Sequence, residues 1–348
     1  MIDIKLLSQI CKAPGAPGYE QEIRQLLIKE VTPLVDEVRV DNMGNLIALK
    51  KGKSDKRIMV AAHMDEISFI VKFIDDDGFL RFQPLGGFDP KTLTSQRVIV
   101  HGKKDVIGVM GCKPIHLMKP EERTKQIPIS EYFIDIGMPK EEVEDIVFPG
   151  APVTRERHLI EMGHCVNSKS LDNRVSVFIL VETLKQLRGK KIPYDLHAVF
   201  TVQEEVGLRG AISAAHQINP DFGIAIDVTI AFDVPGASGH EKVTSLGKGA
   251  AIKIMDGMTI CDHRMVDFMK KTAEKHEIKW QPEILPAGGT DTAAIQRYGK
   301  NGAIAGAVSI PLRNMHQTIE MAHKGDIKDS IDLITACISE MDSYDWAL

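Results

Sequence analysis

Apolar positions along this chain fall into three textures. In the first thirty residues they recur at helical spacing on either side of a Pro/Gly break at 13–18, which predicts two helices. Short runs at 37–40 and 46–49, joined by a turn through Asn42, Gly44 and Asn45, read as strands. Residues 56–62 (KRIMVAA) end without alternation, as a strand buried on both faces requires. From about 68 to 164 the texture changes to short β-like runs: FIVKFI, FLRFQPL, RVIVHG, DVIGVMG, YFIDIG and APVTRE. Gly and Pro separate them, and only 141–145 looks helical; the segment predicts a small all-β, barrel-like domain. Beyond it, helices at 175–187, 208–215, 265–276 and 327–341 alternate with strands at 196–202, 222–226 and 303–310. That alternation marks a mainly parallel sheet flanked by helices. The expected fold class is therefore α/β, with one α/β domain of 1–67 plus 165–348 and an inserted β domain, 68–164.

Composition narrows the function. A length of 348 residues accommodates two domains, and 43% hydrophobic with 26% charged residues suits a soluble protein with a large core. The net charge of −5 offers no field to attract nucleic acid or an anionic membrane. Lys5 and Lys12 break the N-terminal apolar stretch, unlike a signal peptide, and no run approaches the roughly 20 apolar residues of a membrane span. The five cysteines are scattered with no C-x-x-C pair, which fits reduced thiols in the cytoplasm.

Three predicted strands run into metal-ligand residue types: His63 and Asp65 after KRIMVAA, Glu204 and Glu205 after LHAVFTV, and Asp227 after GIAI. Ligand sites in open α/β sheets lie beyond the carboxyl ends of the strands. His63 and Asp65, two apart, share a face in extended backbone, so Asp65 is placed to hold the second imidazole nitrogen of His63. Glu204 and Glu205 serve one site only if the chain turns there, which Gly207 permits; one would then ligate metal and the other face substrate. Asp172, before the helix at 175, and His316, in the loop after the strand at 303–310, complete the set. Three carboxylates (Asp172, Glu205, Asp227) balance two divalent ions and a hydroxide, and five protein ligands serve two ions if one carboxylate bridges. Imidazole and carboxylate donors suit Zn, Co or Mn.

The motifs His-Met-Asp-Glu (63–66), Ser-Leu-Asp-Asn-Arg (170–174), Val-Gln-Glu-Glu-Val-Gly-Leu-Arg-Gly (202–210), Gly-Gly-Thr-Asp (288–291) and Ile-Pro-Leu-Arg-Asn-Met-His (310–316) occur in that order. Together they resemble the tetrahedral (glutamyl and deblocking) aminopeptidases, metallopeptidase family forty-two, members of which have also been labelled glucanases. The resemblance spans nearly the whole chain. It implies Asp172 as the bridging ligand, His63 and Asp227 completing one ion, Glu205 and His316 the other, Glu204 as general base and Asp65 behind His63. It also implies self-association, commonly a hollow homododecamer built from dimers, with the β domain making subunit contacts. Ala62, Asn173 and Ala250 depart from the family pattern, and none is a ligand.

The expected activity is release of N-terminal amino acids from peptides, with hydroxide generated between two metal ions as the nucleophile. A carboxypeptidase or an N-acyl amino acid deacylase on the same scaffold is the nearest alternative, and it needs a free cation for the substrate carboxylate; Arg313 is the sole clear candidate. A glucanase is more remote, because aromatics make up only 5% of the chain and neither tryptophan lies near a motif. A metal-binding scaffold without catalysis predicts a degraded site, which the intact motifs contradict. His116 reads as structural rather than as a visitor to the site. Asp291 divides evenly between shaping the pocket and capping a helix. Asp75-Asp76-Asp77-Gly78 reads as a hairpin turn rather than a calcium loop.

Overall fold

Residues 2–348 are described in a computed structural model of the chain. Helices α1 (Ile4–Lys12) and α2 (Gln21–Val31) flank the expected break and press Leu7, Ile10, Ile23 and Leu27 into the main core. β1 (Glu37–Val40) and β2 (Leu46–Lys50) form the hairpin, and β3 (Ser54–His63) follows. In β3 the residues from Ile58 to Ala62 are all buried, and alternate ones serve opposite layers. Ile58, Val60 and Ala62 face one helix layer; Met59 and Ala61 face the other.

The chain then leaves for the barrel. β4 (Ser68–Ile74), β5 (Leu80–Leu85), β6 (Arg97–His101) and β7 (Asp105–Gly111) are followed by a one-turn α3 (Pro120–Arg123), β8 (Phe133–Asp135), α4 (Lys140–Ile146) and β9 (Pro152–Arg155). The six strands close in the order β4-β5-β8-β7-β6-β9 around their own core of Phe69, Leu80, Val98, Val100, Ile134 and Val153. Closure removes the free edges that six short strands would otherwise present. Asp75–Gly78 is a hairpin turn, with Asp75 Oδ1 accepting the Phe79 N–H at 2.9 Å. Barrel pairing ends at Arg155. β10 (Ile160–Met162), although it falls within 68–164, pairs with β11 (Cys165–Ser168) in the large sheet.

The second half supplies α5 (Leu171–Leu187), β12 (Tyr194–Thr201), α6 (Arg209–Ile218), β13 (Phe222–Ile230), β14 (Ala250–Met255) and α7 (His263–Lys275). After these come β15 (Trp280–Ile284), α8 (Asp291–Tyr298), β16 (Ile304–Arg313), β17 (Glu320–His323) and α9 (Lys324–Glu340). The eleven-stranded sheet runs β1-β2-β12-β3-β13-β16-β17-β11-β10, with β14 and β15 branching from β16. Its centre, β12-β3-β13-β16, is parallel as the βα alternation requires, while β2, β14 and β17 join antiparallel.

The buried side chains of α1, α2, α5, α7 and α9 share one core with the sheet, and α6 and α8 pack on small residues of the opposite face. Gly223 makes that second layer possible, since a Cβ there would stand 2.2 Å from Ile295. Among the described residues no helix is long and apolar enough to cross a membrane, and all five cysteines are free.

Candidate metal centre

Every candidate donor sits where the central parallel strands run out. His63 is the last residue of β3, paired with Thr201 at the end of β12. β13 does not stop at 226, as its apolar run suggests; β16 stays paired beside it to Ile230–Leu312. Asp227 therefore lies within a strand, just past the level where pairing with β3 ends at Ala225–Ala61.

Glu204 and Glu205 follow β12 on a tight elbow in which Gln203 and Leu208 take φ of 54° and 56° and Gly207 takes 119°. Asp65, fully buried, holds this elbow: its Oδ1 accepts the Glu204 N–H and its Oδ2 the Glu205 N–H, each at 3.1 Å. Glu20 Oε1 accepts the Gln203 N–H at 3.2 Å. Asp65 Oδ1 also stands 3.4 Å from His63 Nδ1, closer to an ion-pair approach than to a well-formed hydrogen bond.

Asp172 precedes the regular part of α5, with a non-helical ψ of 106°. Its carboxylate stands between two imidazoles, Oδ1 3.4 Å from His63 Nε2 and Oδ2 3.2 Å from His316 Nε2. Glu204 Oε2 and Asp227 Oδ1 each lie 3.8 Å from His63 Nε2, and Glu205 Oε2 lies 3.6 Å from His316 Nε2. Two convergent groups result, His63 with Asp172 and Asp227, and Asp172 with Glu205 and His316. Within each group the donor atoms lie within 4.8 Å of one another. All of these residues line one cavity of about 210 Å³; Asp65 stands behind it.

The protonation pattern follows from burying so many carboxylates together. Burial, with repulsion from Asp172, pushes both Glu205 and Asp227 up to about 8 against the attraction of the histidines. Burial also lifts Glu204 well above the usual carboxylate range, and Asp227 and Glu205 add to it. Asp172 goes the other way: burial acts to raise it, and the flanking imidazoles outweigh burial and lower it. His316 rises to about 9, with Asp172 and Glu205 overcoming the opposing effect of its burial. The set fits divalent ions. Imidazole nitrogens and carboxylate oxygens converge, their mutual repulsion favours a cation among them, and Glu205 Oε1 has no hydrogen-bond partner among the described residues.

Several residues that pattern reading passed over support the site. Glu320, fully buried on β17, accepts the Asp172 N–H with Oε2 at 3.0 Å and the His316 N–H with Oε1 at 2.9 Å. Arg155, at the barrel's last strand, donates from Nη1 to the His316 carbonyl at 3.0 Å. Lys253, on β14, borders the cavity with its ammonium 2.8 Å from Glu283 and 3.2 Å from Asp256. A lone charge inside an apolar run (AAIKIM, TIEMA) is the sequence signal for Lys253 and Glu320; nothing local marks Arg155.

Asp291 caps nothing. It takes the Thr201 hydroxyl on Oδ2 at 2.5 Å, and burial lifts it to about 6. Arg313 is bound to Asp233 through Nε and Nη2 at 2.6 and 2.7 Å. His116 is exposed and lies off the cavity.

Known proteins resemble this chain over nearly its whole length. Residues 44–333 match the M42 glutamyl aminopeptidase model. A candidate aminopeptidase of Acetivibrio thermocellus is 41% identical over 96% of this chain and 97% of its own. The lysyl aminopeptidase of Pyrococcus furiosus is 35% identical over 99% of both. The TET1 peptidase of Pyrococcus horikoshii, which assembles into a tetrahedron or a large octahedral shell, superposes with a TM-score of 0.88. It is 34% identical, with 97% of this chain and 99% of that one covered.

Proposed function

The chain belongs to the M42 glutamyl aminopeptidase family of peptide hydrolases, and on that premise we propose that it is a dinuclear-metal aminopeptidase. His63 and Asp227 would hold one ion, Glu205 and His316 the other, and Asp172 would bridge them. The observation that carries this reading is the Asp172 carboxylate, aimed with one oxygen at each histidine and shared by both donor groups. Zn fits such donors, as do Co and Mn. Bound there, two divalent ions supply a water acidified to near neutral pH and Lewis-acid polarisation of the scissile carbonyl.

Glu204 is the proton carrier. Its carboxylate faces the cavity, placed to take a proton from water at Oε2 and return it to the leaving amine. Asp65 fixes the peptide units of both glutamates, so the base and one ligand keep a constant offset.

Apart from Thr290, Lys253 and two glycines, the rest of the cavity wall is apolar: Val228, Ile230, Leu285, Ala287 and Met315. Lys253, the cation at its edge, is committed to Glu283 and Asp256. These walls favour uncharged aliphatic N-terminal side chains. With Lys253 and Arg313 both paired, a free cation for a substrate carboxylate is missing among the described lining residues, which disfavours a carboxypeptidase or deacylase. No aromatic ring among them offers a sugar platform.

Self-assembly resembling that of the TET1 relative accords with the large apolar side chains that the barrel segment exposes, Phe73, Ile107, Val109, Ile115 and Leu117. A homododecamer built from dimers is the proposed form.

The test is an assay of metal-loaded protein on aminoacyl-p-nitroanilides and their N-acetylated counterparts, with and without chelator. Chelator-sensitive cleavage of the free-amine substrates alone, leucyl ahead of glutamyl and lysyl, is the expected result. Cleavage of the acetylated compounds would replace this reading with a deacylase. Inactivity with two ions verified per chain would replace it with a scaffold.

A further inference from the structure

His316 is the least supported of the candidate ligands. Its φ is +62° and that of Asn314 is +59°, a left-handed conformation that non-glycine residues rarely adopt. Its side chain is 36% exposed, whereas that of His63 is 2% exposed inside the sheet. The His316 ring is packed less tightly than that of His63, so its placement leans more heavily on its backbone.

Both polar backbone groups of His316 are held. Its N–H goes to Glu320 Oε1, and the other oxygen of the same carboxylate takes the Asp172 N–H, 148 residues away in sequence. Its carbonyl receives Arg155 Nη1 from the barrel. Arg155 is itself anchored, buried with its guanidinium carbon 5.7 Å from the centre of the Phe88 ring, and Phe88 stacks on Phe69 of the barrel core at 4.4 Å. In the same barrel loop, a Cβ at Gly87 would come to 3.6 Å from His316 Nδ1, so the loop lies directly against the imidazole.

We propose that Glu320 and Arg155 are positioning residues that clamp the His316 backbone from both sides, and that the inserted barrel thereby sets the metal affinity of the Asp172–Glu205–His316 group. The clamp rests on the two-ion reading above. Neither residue touches substrate. Glu320 fixes the offset between the shared carboxylate and the second imidazole, and Arg155 ties that offset to the placement of the barrel. His63 and Asp227 are embedded in β3 and β13, so in the other group only the shared Asp172 touches the clamp.

The experiment uses full-length protein stripped with chelator and retitrated with zinc. Bound zinc is counted by elemental analysis, affinities come from competition with a chromophoric chelator, and metal-free thermal stability is recorded alongside. The wild type is expected to take two ions per chain. Arg155→Met and Glu320→Gln should keep the tighter ion within about two-fold and weaken the other by about 10–100-fold. Their kcat should return in excess zinc while KM for a leucyl substrate stays unchanged. Arg155→Lys, which keeps a cationic donor, should recover most of the lost affinity. If both variants bind two ions as the wild type does while the metal-free protein melts earlier, the residues are only structural and the proposal fails. Equal weakening of both ions would overturn it too, since the clamp would then act through Asp172 alone. A wild type that binds a single ion would sink the two-ion reading. The clamp would then stand or fall on whether Arg155→Met weakens that ion by the same factor.

Discussion

Two buried carboxylates build this site in the same way from different material. Asp65 accepts two successive N–H groups of one elbow, so the unit it makes is local: Glu204 and Glu205 are neighbours, and the strand leading into Asp65 lies beside the one leading into them. Glu320 accepts N–H groups from Asp172 and His316, which come from different elements, and a third partner reaches in from the barrel. One carboxylate sets the shape of a turn; the other sets the distance between two parts of the chain. The elbow should therefore govern proton handling and the corner should govern metal occupancy. A buried ionic knot lies between them. Glu66, next to Asp65, binds Lys169 at 2.6 Å and takes the Ser170 hydroxyl, just before Asp172, and the Arg174 guanidinium stands 3.6 Å away.

The largest effect expected is on turnover. Glu204→Gln should lower kcat by roughly 100- to 10,000-fold with both ions retained by elemental analysis; near-normal kcat would remove the division of labour between elbow and corner. His63→Ala, which removes an imidazole standing 3.8 Å from Glu204, should lose metal instead, visible in the same analysis.

Lys169→Met tests the knot. It leaves the buried Glu66 carboxylate short of a partner, and about 3–5 kcal/mol of stability should be lost in the metal-free protein. A smaller loss, read from denaturant midpoints, would mean the two turns are not mechanically joined there.

Asp65→Asn should cost about 10–100-fold in kcat, because an amide supplies only one acceptor for two N–H groups, and should weaken the His316-containing group less than Glu320→Gln does. Loss of that ion in preference to activity would erase the contrast with Glu320.

The smallest effect concerns the outer edge of the elbow, where burial, helped by the Asp65 charge, pushes Glu20 up from 4.5 to about 7. The folded protein then holds this proton where the unfolded chain has released it. Glu20 thus makes stability fall as pH rises from about 4.5 to about 7, with no further change above. Glu20→Gln should remove that part of the pH dependence in urea melts, and an unchanged profile would show that the elbow does not feel Glu20 ionise.

Much of this was legible in the chain. The period-two and apolar runs marked β3, β12 and the six barrel strands, since burial on one or both faces leaves a pattern within a few residues. β14, β15 and β17 went unread because AAIKIM, WQPEI and EMAH carry charges or a proline that sequence pattern assigns to the surface. Lys253, Glu283 and Glu320 are nonetheless buried, each satisfied by a partner from elsewhere in the fold. Asp227 was singled out as a candidate, but its strand was cut short, because the neighbour that prolongs it, β16, is distant in sequence.

The sequence by itself determined the layer architecture, the barrel insertion as a change of texture, and the residue types that gather at the strand ends. Hydrophobic period and motif are local properties, and each element carries its own. Only the tertiary structure decided that Asp172 faces two histidines at once, that Asp65 and Glu320 hold turns rather than solvent, and that a barrel arginine reaches the His316 loop. All but the Glu320–His316 contact join residues more than a hundred positions apart, and a hydrogen bond depends on distance and direction, which no local pattern of residue types encodes.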